Sequence, residues 1–199
     1  MWFIYLNLNH EYVFLFQLLK SDKYSKMGKY FNIIIVIIGF FNQIKAQSLP
    51  SKIHWKTVTE FNVLFGNKPK KILFKVYSKD CHTCYDMDEK ILSDKNIVNY
   101  INKTFYAIKL DAFDKSPINL RGHIYETKDG LNPLASFLLK GNIKFPSLIF
   151  IDDKLTMIDY SEGYNSLEMI NMTLHYLGDN AYKIISWQAF QKNFKTYKM

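Results

Sequence analysis

The feature that most constrains this chain is a buried strand that leads straight into a pair of cysteines. Residues 71–77 read KILFKVY, a near-continuous run of apolar, β-branched and aromatic residues that is typical of a strand buried on both faces. A polar turn, 78–80, then delivers the chain to Cys81 and Cys84. Apolar side chains recur at helical spacing over 81–92. The cysteine pair is therefore predicted to lie in the first turn of a helix.

These two cysteines are the only ones among 199 residues, which narrows the chemistry that they can perform. A structural zinc site takes four thiolate, imidazole or carboxylate ligands, and the sequence has no second cysteine pair. The five histidines show no ligand spacing among themselves: His10, His54, His82, His123 and His175. We therefore predict neither a metal site nor a cofactor.

At a helix start, unpaired backbone N–H groups and the positive end of the helix dipole lower the pKa of a thiol. Cys81 is accordingly the predicted nucleophile, and its thiolate would attack a disulfide of a substrate to form a mixed disulfide. Cys84 follows three positions later on the same helical face and would resolve that intermediate, closing a Cys81–Cys84 disulfide.

Charge and length limit the class of protein further. The formal net charge is +8, with 26 Lys and Arg against 18 Asp and Glu, and Arg121 is the only arginine. Phosphate and base-edge contacts favour the planar fork of arginine, and the lysines here are scattered, so no nucleic-acid partner is predicted. The length allows one domain with a full hydrophobic core.

The N-terminus reads as a leader. From Met27 a short positive start precedes an apolar run, Phe31 to Phe41, and Ala46 stands before a polar continuation, which is the pattern of a secretory signal peptide. The run is shorter than the roughly 20 residues that span a bilayer as a helix. We predict a leader over 1–46, with the signal peptide at 27–46 and with 1–26 a mis-assigned start. An uncleaved, membrane-anchored N-terminus is the alternative.

The mature domain, 47–199, is predicted to be α/β, with a central mixed β-sheet flanked by helices. An insertion, 114–130, interrupts the alternation before the third core helix, and an extra helix follows the core at the C-terminus. Beyond 71–92, the predicted elements are helices at 57–65, 93–101, 132–140, 166–177 and 179–195, strands at 105–111, 147–152 and 157–160, and a hairpin or loop at 118–126.

The order of these motifs resembles the thioredoxin superfamily over about residues 53–195. The residues that carry the resemblance are CHTC after a buried strand, SDKNIVNYIN, a strand into LDA, and Phe-Pro before SLIFID. Within the superfamily the chain is similar to secreted bacterial thioredoxin-like proteins with the motif Cys-x-x-Cys-Lys-x-Met. The resemblance implies a thioredoxin-like fold in which the Phe145–Pro146 bond is cis and lies beside the cysteines.

Several positions depart from the family pattern. The usual tryptophan before the first cysteine is Asp80, the lysine after the second is Tyr85, and the buried acid six residues ahead of the first is Lys75. An amine of Lys75 that points toward Cys84 would favour a thiolate there, whereas the alternative is a lysine that snorkels to water.

The remaining candidates surround the cysteines. A protonated His82 would stabilise the reduced thiolate, Asp80 would oppose it, and Thr83 between the cysteines is a further tuning residue. Tyr77 and Phe145, with Pro146, are predicted to line an apolar groove for an extended peptide.

Together these features predict an exported thiol-disulfide oxidoreductase, periplasmic or secreted. Its partners would be protein disulfides or dithiols and a redox partner protein, with a membrane involved only if the leader is uncleaved. Two alternatives stay open: a non-catalytic thioredoxin-fold binding module, and a metallochaperone that depends on the thiols of Cys81 and Cys84. The sequence does not fix the direction of electron flow or the oligomeric state.

Overall fold

The computed structural model describes residues 52–127 and 130–197, so the predicted leader lies outside the described residues. Along the chain, the elements are α1 (Val58–Asn67), β1 (Lys71–Tyr77), α2 (His82–Lys90), α3 (Lys95–Thr104), β2 (Phe105–Asp111), β3 (Ile118–Leu120), β4 (His123–Tyr125), α4 (Pro133–Leu138), β5 (Ser147–Ile151), β6 (Met157–Glu162), α5 (Leu167–Gly178), a 3-10 turn (Ala181–Lys183) and α6 (Trp187–Tyr197). Within the described part of the chain, every helix is too short or too polar to cross a bilayer.

The predicted mixed sheet is confirmed, and β1 lies inside it. The strand order is β2-β1-β5-β6. β1 pairs in parallel with β2 and antiparallel with β5, and β6 closes the other edge antiparallel to β5. Five consecutive residues of β1, Ile72 to Val76, are buried, which accounts for the nearly continuous apolar run in the sequence.

Side chains alternate across β1 and divide the core into two clusters. Leu73 faces a cluster built with α2, α3 and α5, which includes Met87 and Ile101. Ile72 and Phe74 face the opposite way, toward α1, α4 and the β3–β4 hairpin. The helices thus flank both faces of the sheet, as the sequence predicts.

The parallel pairing of β1 with β2 positions the cysteines. In register, Tyr77 at the end of β1 lies opposite Asp111 at the end of β2. The turn that leads to Cys81 and the loop that carries Phe113 therefore begin side by side, at the C-terminal ends of these two parallel strands. Ala112 N–H donates to the Tyr77 carbonyl at 2.8 Å and holds the two segments together.

The two additions to the core are also present. The insertion contains the antiparallel hairpin β3–β4. Asn62 of α1 holds it, because its side-chain amide donates to the Asn119 carbonyl at 2.7 Å. At the C-terminus, Phe190 and Phe194 of α6 pack with Met172 of α5 in a third, smaller cluster.

Candidate functional site: a disulfide at the start of a helix

The two cysteines form a disulfide at the N-terminus of α2. Cys81 is the N-cap residue, with extended backbone angles, and its Sγ accepts a hydrogen bond from the Cys84 N–H at 3.1 Å. The Cα atoms are 5.3 Å apart. Cys81 is partly exposed, whereas Cys84 is buried with 2% of its surface accessible. One sulfur therefore meets solvent while the other lies inside the protein.

The loop before β5 lies directly beside this helix start. The Phe145–Pro146 peptide bond is cis, and Pro146 is buried. The Thr83 hydroxyl lies 3.4 Å from Cys81 Sγ and donates to the Phe145 carbonyl oxygen, also at 3.4 Å. Thr83 therefore bridges Cys81 Sγ and the loop that carries the proline.

Behind the disulfide lies a buried lysine. Lys75 is fully buried in β1, and its Nζ donates to the Cys84 carbonyl oxygen at 3.1 Å and to Asp88 Oδ1 at 2.5 Å. The second carboxylate oxygen of Asp88 accepts from Lys109 Nζ at 2.8 Å. One carboxylate thus joins two ammonium groups, and the amine of Lys75 points toward Cys84 rather than to water.

Asp88 connects this network to solvent. Its side chain is 29% exposed and lines an open cavity of about 450 Å³, together with Trp55 and Leu92. Lys109 Nζ lies 5.1 Å from the centre of the Trp55 ring, a favourable cation–π distance. Water therefore reaches the carboxylate, while the Lys75 amine remains enclosed.

Burial controls the titration of this region. Desolvation lowers the pKa of the Lys75 ammonium, and the hydrogen bond and the charge of Asp88 oppose that shift. Desolvation also raises the pKa of the Tyr77 hydroxyl, and the nearby Asp111 carboxylate adds to the increase.

The structure separates two residues that the sequence groups in one groove. The Tyr77 ring lies 5.7 Å from Lys75 Nζ and 5.9 Å from Lys109 Nζ, on the face that packs against α2. Phe145 packs instead with the cluster of the opposite face. Its aromatic neighbour is Phe113, with ring centroids 6.0 Å apart. Tyr77 and Phe145 therefore pack on opposite faces of the sheet, and the predicted groove that joins them stays a prediction.

The other predicted tuning residues lie on the surface. His82, the first residue of α2, is exposed, as are Asp80 and Tyr85. The charge of His82 helps to lower the pKa of the Asp86 carboxyl, after the larger effect of Lys90. The Tyr85 hydroxyl donates to the Lys79 carbonyl oxygen at 3.0 Å.

Sequence reasoning missed Asp88 and Phe113, although both leave a signal. Asp88 follows Cys84 by four positions and therefore lies on the same face of α2. Phe113 lies two residues after the last residue of β2, at the end of the sheet where β1 also ends. Among the described residues, no three His, Cys, Asp or Glu side chains form a cluster that could hold a metal ion.

Known structures resemble this architecture. A thioredoxin-fold protein from Helicobacter pylori superimposes with a TM-score of 0.50 at 18% sequence identity, over 65% of this chain and 82% of that one. The fold is thioredoxin-like. A DsbH oxidoreductase superimposes at 0.47 and 15% identity, over 68% and 91% of the two chains. A thioredoxin from Thermus thermophilus gives 0.47 and 14%, over 63% and 86%. Neither a protein-family model nor a curated protein matches the sequence.

Within this thioredoxin-like fold, the most distinctive departure is the inverted charge behind the cysteines. The resemblance implies a buried acid at position 75, but the chain has a lysine there. Because an unpaired buried ammonium is costly, its carboxylate partner is supplied from α2 by Asp88. Lys109 then balances the second oxygen of that carboxylate.

The buried amine predicts a specific pH dependence of stability. The pKa of Lys75 is lowered in the folded protein, whereas the unfolded chain keeps a value of about 10.4. Between these two pKa values the unfolded state holds more protons, so stability rises with pH across that window. In the oxidised Lys75→Met variant this rise is lost. The variant therefore becomes less stable relative to the wild type as the pH approaches 10, as measured by the free energy of unfolding.

Denaturant unfolding from pH 7 to pH 10, with the disulfide intact, measures this difference. Lys95→Met is the matched control, because it makes the same substitution at an exposed lysine outside the buried network. Parallel curves for wild type and Lys75→Met would contradict the expected titration.

Proposed function

We propose that this protein is a thiol-disulfide oxidoreductase that exchanges disulfides with protein substrates through Cys81 and Cys84. The observation that carries the proposal is the asymmetry of the pair at the start of α2. Cys81 is partly exposed and caps the helix, whereas Cys84 is buried behind it. An accessible sulfur at a helix N-terminus favours a reactive thiolate, and an enclosed second sulfur favours resolution within the protein.

In the reducing direction, the Cys81 thiolate attacks one sulfur of a substrate disulfide. The substrate S–S bond breaks, a mixed disulfide forms, and the first substrate thiolate leaves. The Cys84 thiolate then attacks Cys81 Sγ, which closes the internal disulfide and releases the second substrate thiolate. The substrate gains two electrons and the Cys81–Cys84 pair loses two; the same steps in reverse oxidise a substrate dithiol.

Two donors support a thiolate on Cys81. The Cys84 N–H already points at Cys81 Sγ, and a hydrogen bond to a charged acceptor is about twice as strong as a neutral one. The Thr83 hydroxyl has one proton and lies within hydrogen-bond distance of both Cys81 Sγ and the Phe145 carbonyl oxygen. In the reduced protein, rotation of that hydroxyl gives the thiolate a second donor.

The surface beside Cys81 suits an extended peptide. Phe113 is 47% exposed and lies edge-on to Phe145, whose carbonyl oxygen accepts from the Thr83 hydroxyl that also contacts Cys81 Sγ. Two aromatic rings beside a nucleophile offer an apolar contact for a side chain that flanks a substrate cysteine. A redox partner protein that restores the pair to its working state would use the same surface.

Substitution of each cysteine separately tests the assigned roles. Cys84→Ser leaves the nucleophile without its resolving partner, so mixed disulfides with a model substrate such as insulin accumulate through Cys81. Cys81→Ser, the matched control, leaves only the buried sulfur and forms at least tenfold less adduct because attack requires access. Non-reducing electrophoresis with mass spectrometry measures both. Equal trapping by the two variants would overturn the assignment, and no trapping by either would favour a binding module.

The buried ammonium is expected to raise the reduction potential of the pair. Lys75 Nζ donates a hydrogen bond to the carbonyl oxygen of Cys84 itself. A positive charge on the same residue's backbone is expected to favour the Cys84 thiolate and hence the reduced form. Lys75→Met therefore lowers the potential by about 30 mV, a tenfold change in the equilibrium constant. Equilibration with glutathione measures it, and Lys95→Met is the control. An unchanged or raised potential in Lys75→Met would remove Lys75 from the mechanism.

We propose further that the protein is exported by the segment at 27–46. The supporting observations are its short positive start, its apolar run and Ala46. After expression of the full chain, Edman or mass-spectrometric analysis of the exported protein is expected to give a new N-terminus near Gln47. Val36→Lys interrupts the apolar run and is expected to retain the uncleaved chain in the cell, whereas export of that variant would argue against this leader.

A further inference from the structure

A second cavity lies on the face of the sheet opposite α2. It is bounded by the tip of the β3–β4 hairpin, by α4 and by the turn between β5 and β6, and its volume is about 300 Å³. Such a volume falls at the lower end of the range for small-molecule sites. Its floor is made of buried apolar side chains: Phe61, Ile72, Phe74, Leu138 and Ile151.

This cavity is remote from the cysteines. Ile72 stands near the start of β1 and pairs with Ile151 at the end of β5. Cys81 follows the other end of β1, after Tyr77. At about 3.3 Å per residue, roughly 16 Å of strand separates Ile72 from Tyr77 alone. The redox chemistry proposed for Cys81 and Cys84 therefore does not use this cavity.

The mouth of the cavity is amphipathic. Phe137 and Leu155 line it and remain 64% and 45% exposed, which is unusual for large apolar side chains in so close a group. Arg121 and His123, on either side of the hairpin turn, are the polar side chains of the lining. An apolar interior thus opens beside a cationic side chain.

Arg121 is held in place but lacks an anionic partner. Its backbone N–H donates to the Asn62 side-chain oxygen at 3.0 Å, and its guanidinium lies 5.5 Å from the centre of the Phe65 ring. Within residues 52–127 and 130–194, no carboxylate lies within ion-pairing distance of that guanidinium. The only arginine of the chain therefore presents a planar donor fork at the cavity mouth.

We propose that this cavity binds an amphiphilic carboxylate, with its alkyl body against the exposed side chains of Phe137 and Leu155 and its head group on Arg121. A cavity of roughly 150 Å³ takes up one benzene ring, so about 300 Å³ accommodates an apolar body of up to about a dozen carbon atoms. The carboxylate supplies the charge that the guanidinium lacks and matches its bidentate geometry. A neutral amphiphile of the same length makes the same apolar contacts but leaves the Arg121 guanidinium without an anionic partner.

Octanoate and 1-octanol are the matched probes, titrated separately into the ¹⁵N-labelled full chain and followed by NMR. Octanoate is expected to bind at least tenfold more tightly than 1-octanol, and both are expected to shift the amide signals of residues 120–123 and of Leu155. In Arg121→Gln the octanoate affinity falls about tenfold, to that of 1-octanol, while Arg121→Lys retains part of the difference because it keeps the charge without the fork.

Lys154→Gln is the control for general charge attraction, since Lys154 is an exposed cation beside Leu155 in the β5–β6 turn. It leaves the preference for octanoate unchanged. Equal binding of the two probes to the wild type, equal losses in Arg121→Gln and Lys154→Gln, or no shifts in these signals would each overturn the proposal. Circular dichroism checks that Arg121→Gln is folded, and the wild-type comparison decides the matter without that variant. None of these measurements depends on the cysteines.

Discussion

The double pairing of β1 is the constraint on which the rest of the structure depends. Its backbone hydrogen bonds are shared between β2 and β5, and its side chains alternate into both core clusters. A strand so enclosed has no freedom to shift its register, because a slip of one residue would move every side chain to the wrong face. The turn at its end, and therefore the start of α2, inherits that precision. The cysteine pair is positioned by a strand with five consecutive buried residues.

Much of this could be predicted from the sequence, because the decisive patterns are local. KILFKVY predicts a doubly buried strand, and the apolar spacing predicts the helix at 93–101, which Asp94 caps by accepting from the N–H groups of Asn96 and Ile97. The element order then limits the sheet to a few arrangements. What the sequence leaves open are the contacts between distant segments: the pairing of Lys75 with Asp88, and of Phe113 with Phe145, requires knowledge of how α2 and the loops pack.

Lys75 shows why a single substitution cannot be interpreted alone. Lysine is rarely fully buried, so a lysine in any strand is expected to extend its amine to water. In a strand buried on both faces, the side chain would have to run past the end of the sheet to do so. The chain has a different solution, a carboxylate one helix away and a second lysine on β2. Three charged groups on three elements form one unit with a net positive charge. Hydrogen bonds satisfy the buried amine, and Asp88 remains in contact with solvent.

The sulfur that caps α2 is also the sulfur proposed to react. As an N-cap, Cys81 Sγ satisfies a backbone N–H of the first helical turn, a task that a charged acceptor performs better than a neutral one. The oxidation state of the pair and the order of the first turn of α2 are therefore two aspects of one equilibrium. A thiolate on Cys81 would hold that turn more firmly than the neutral disulfide sulfur does. Helix formation at this end of α2 thus favours the reduced form of the pair.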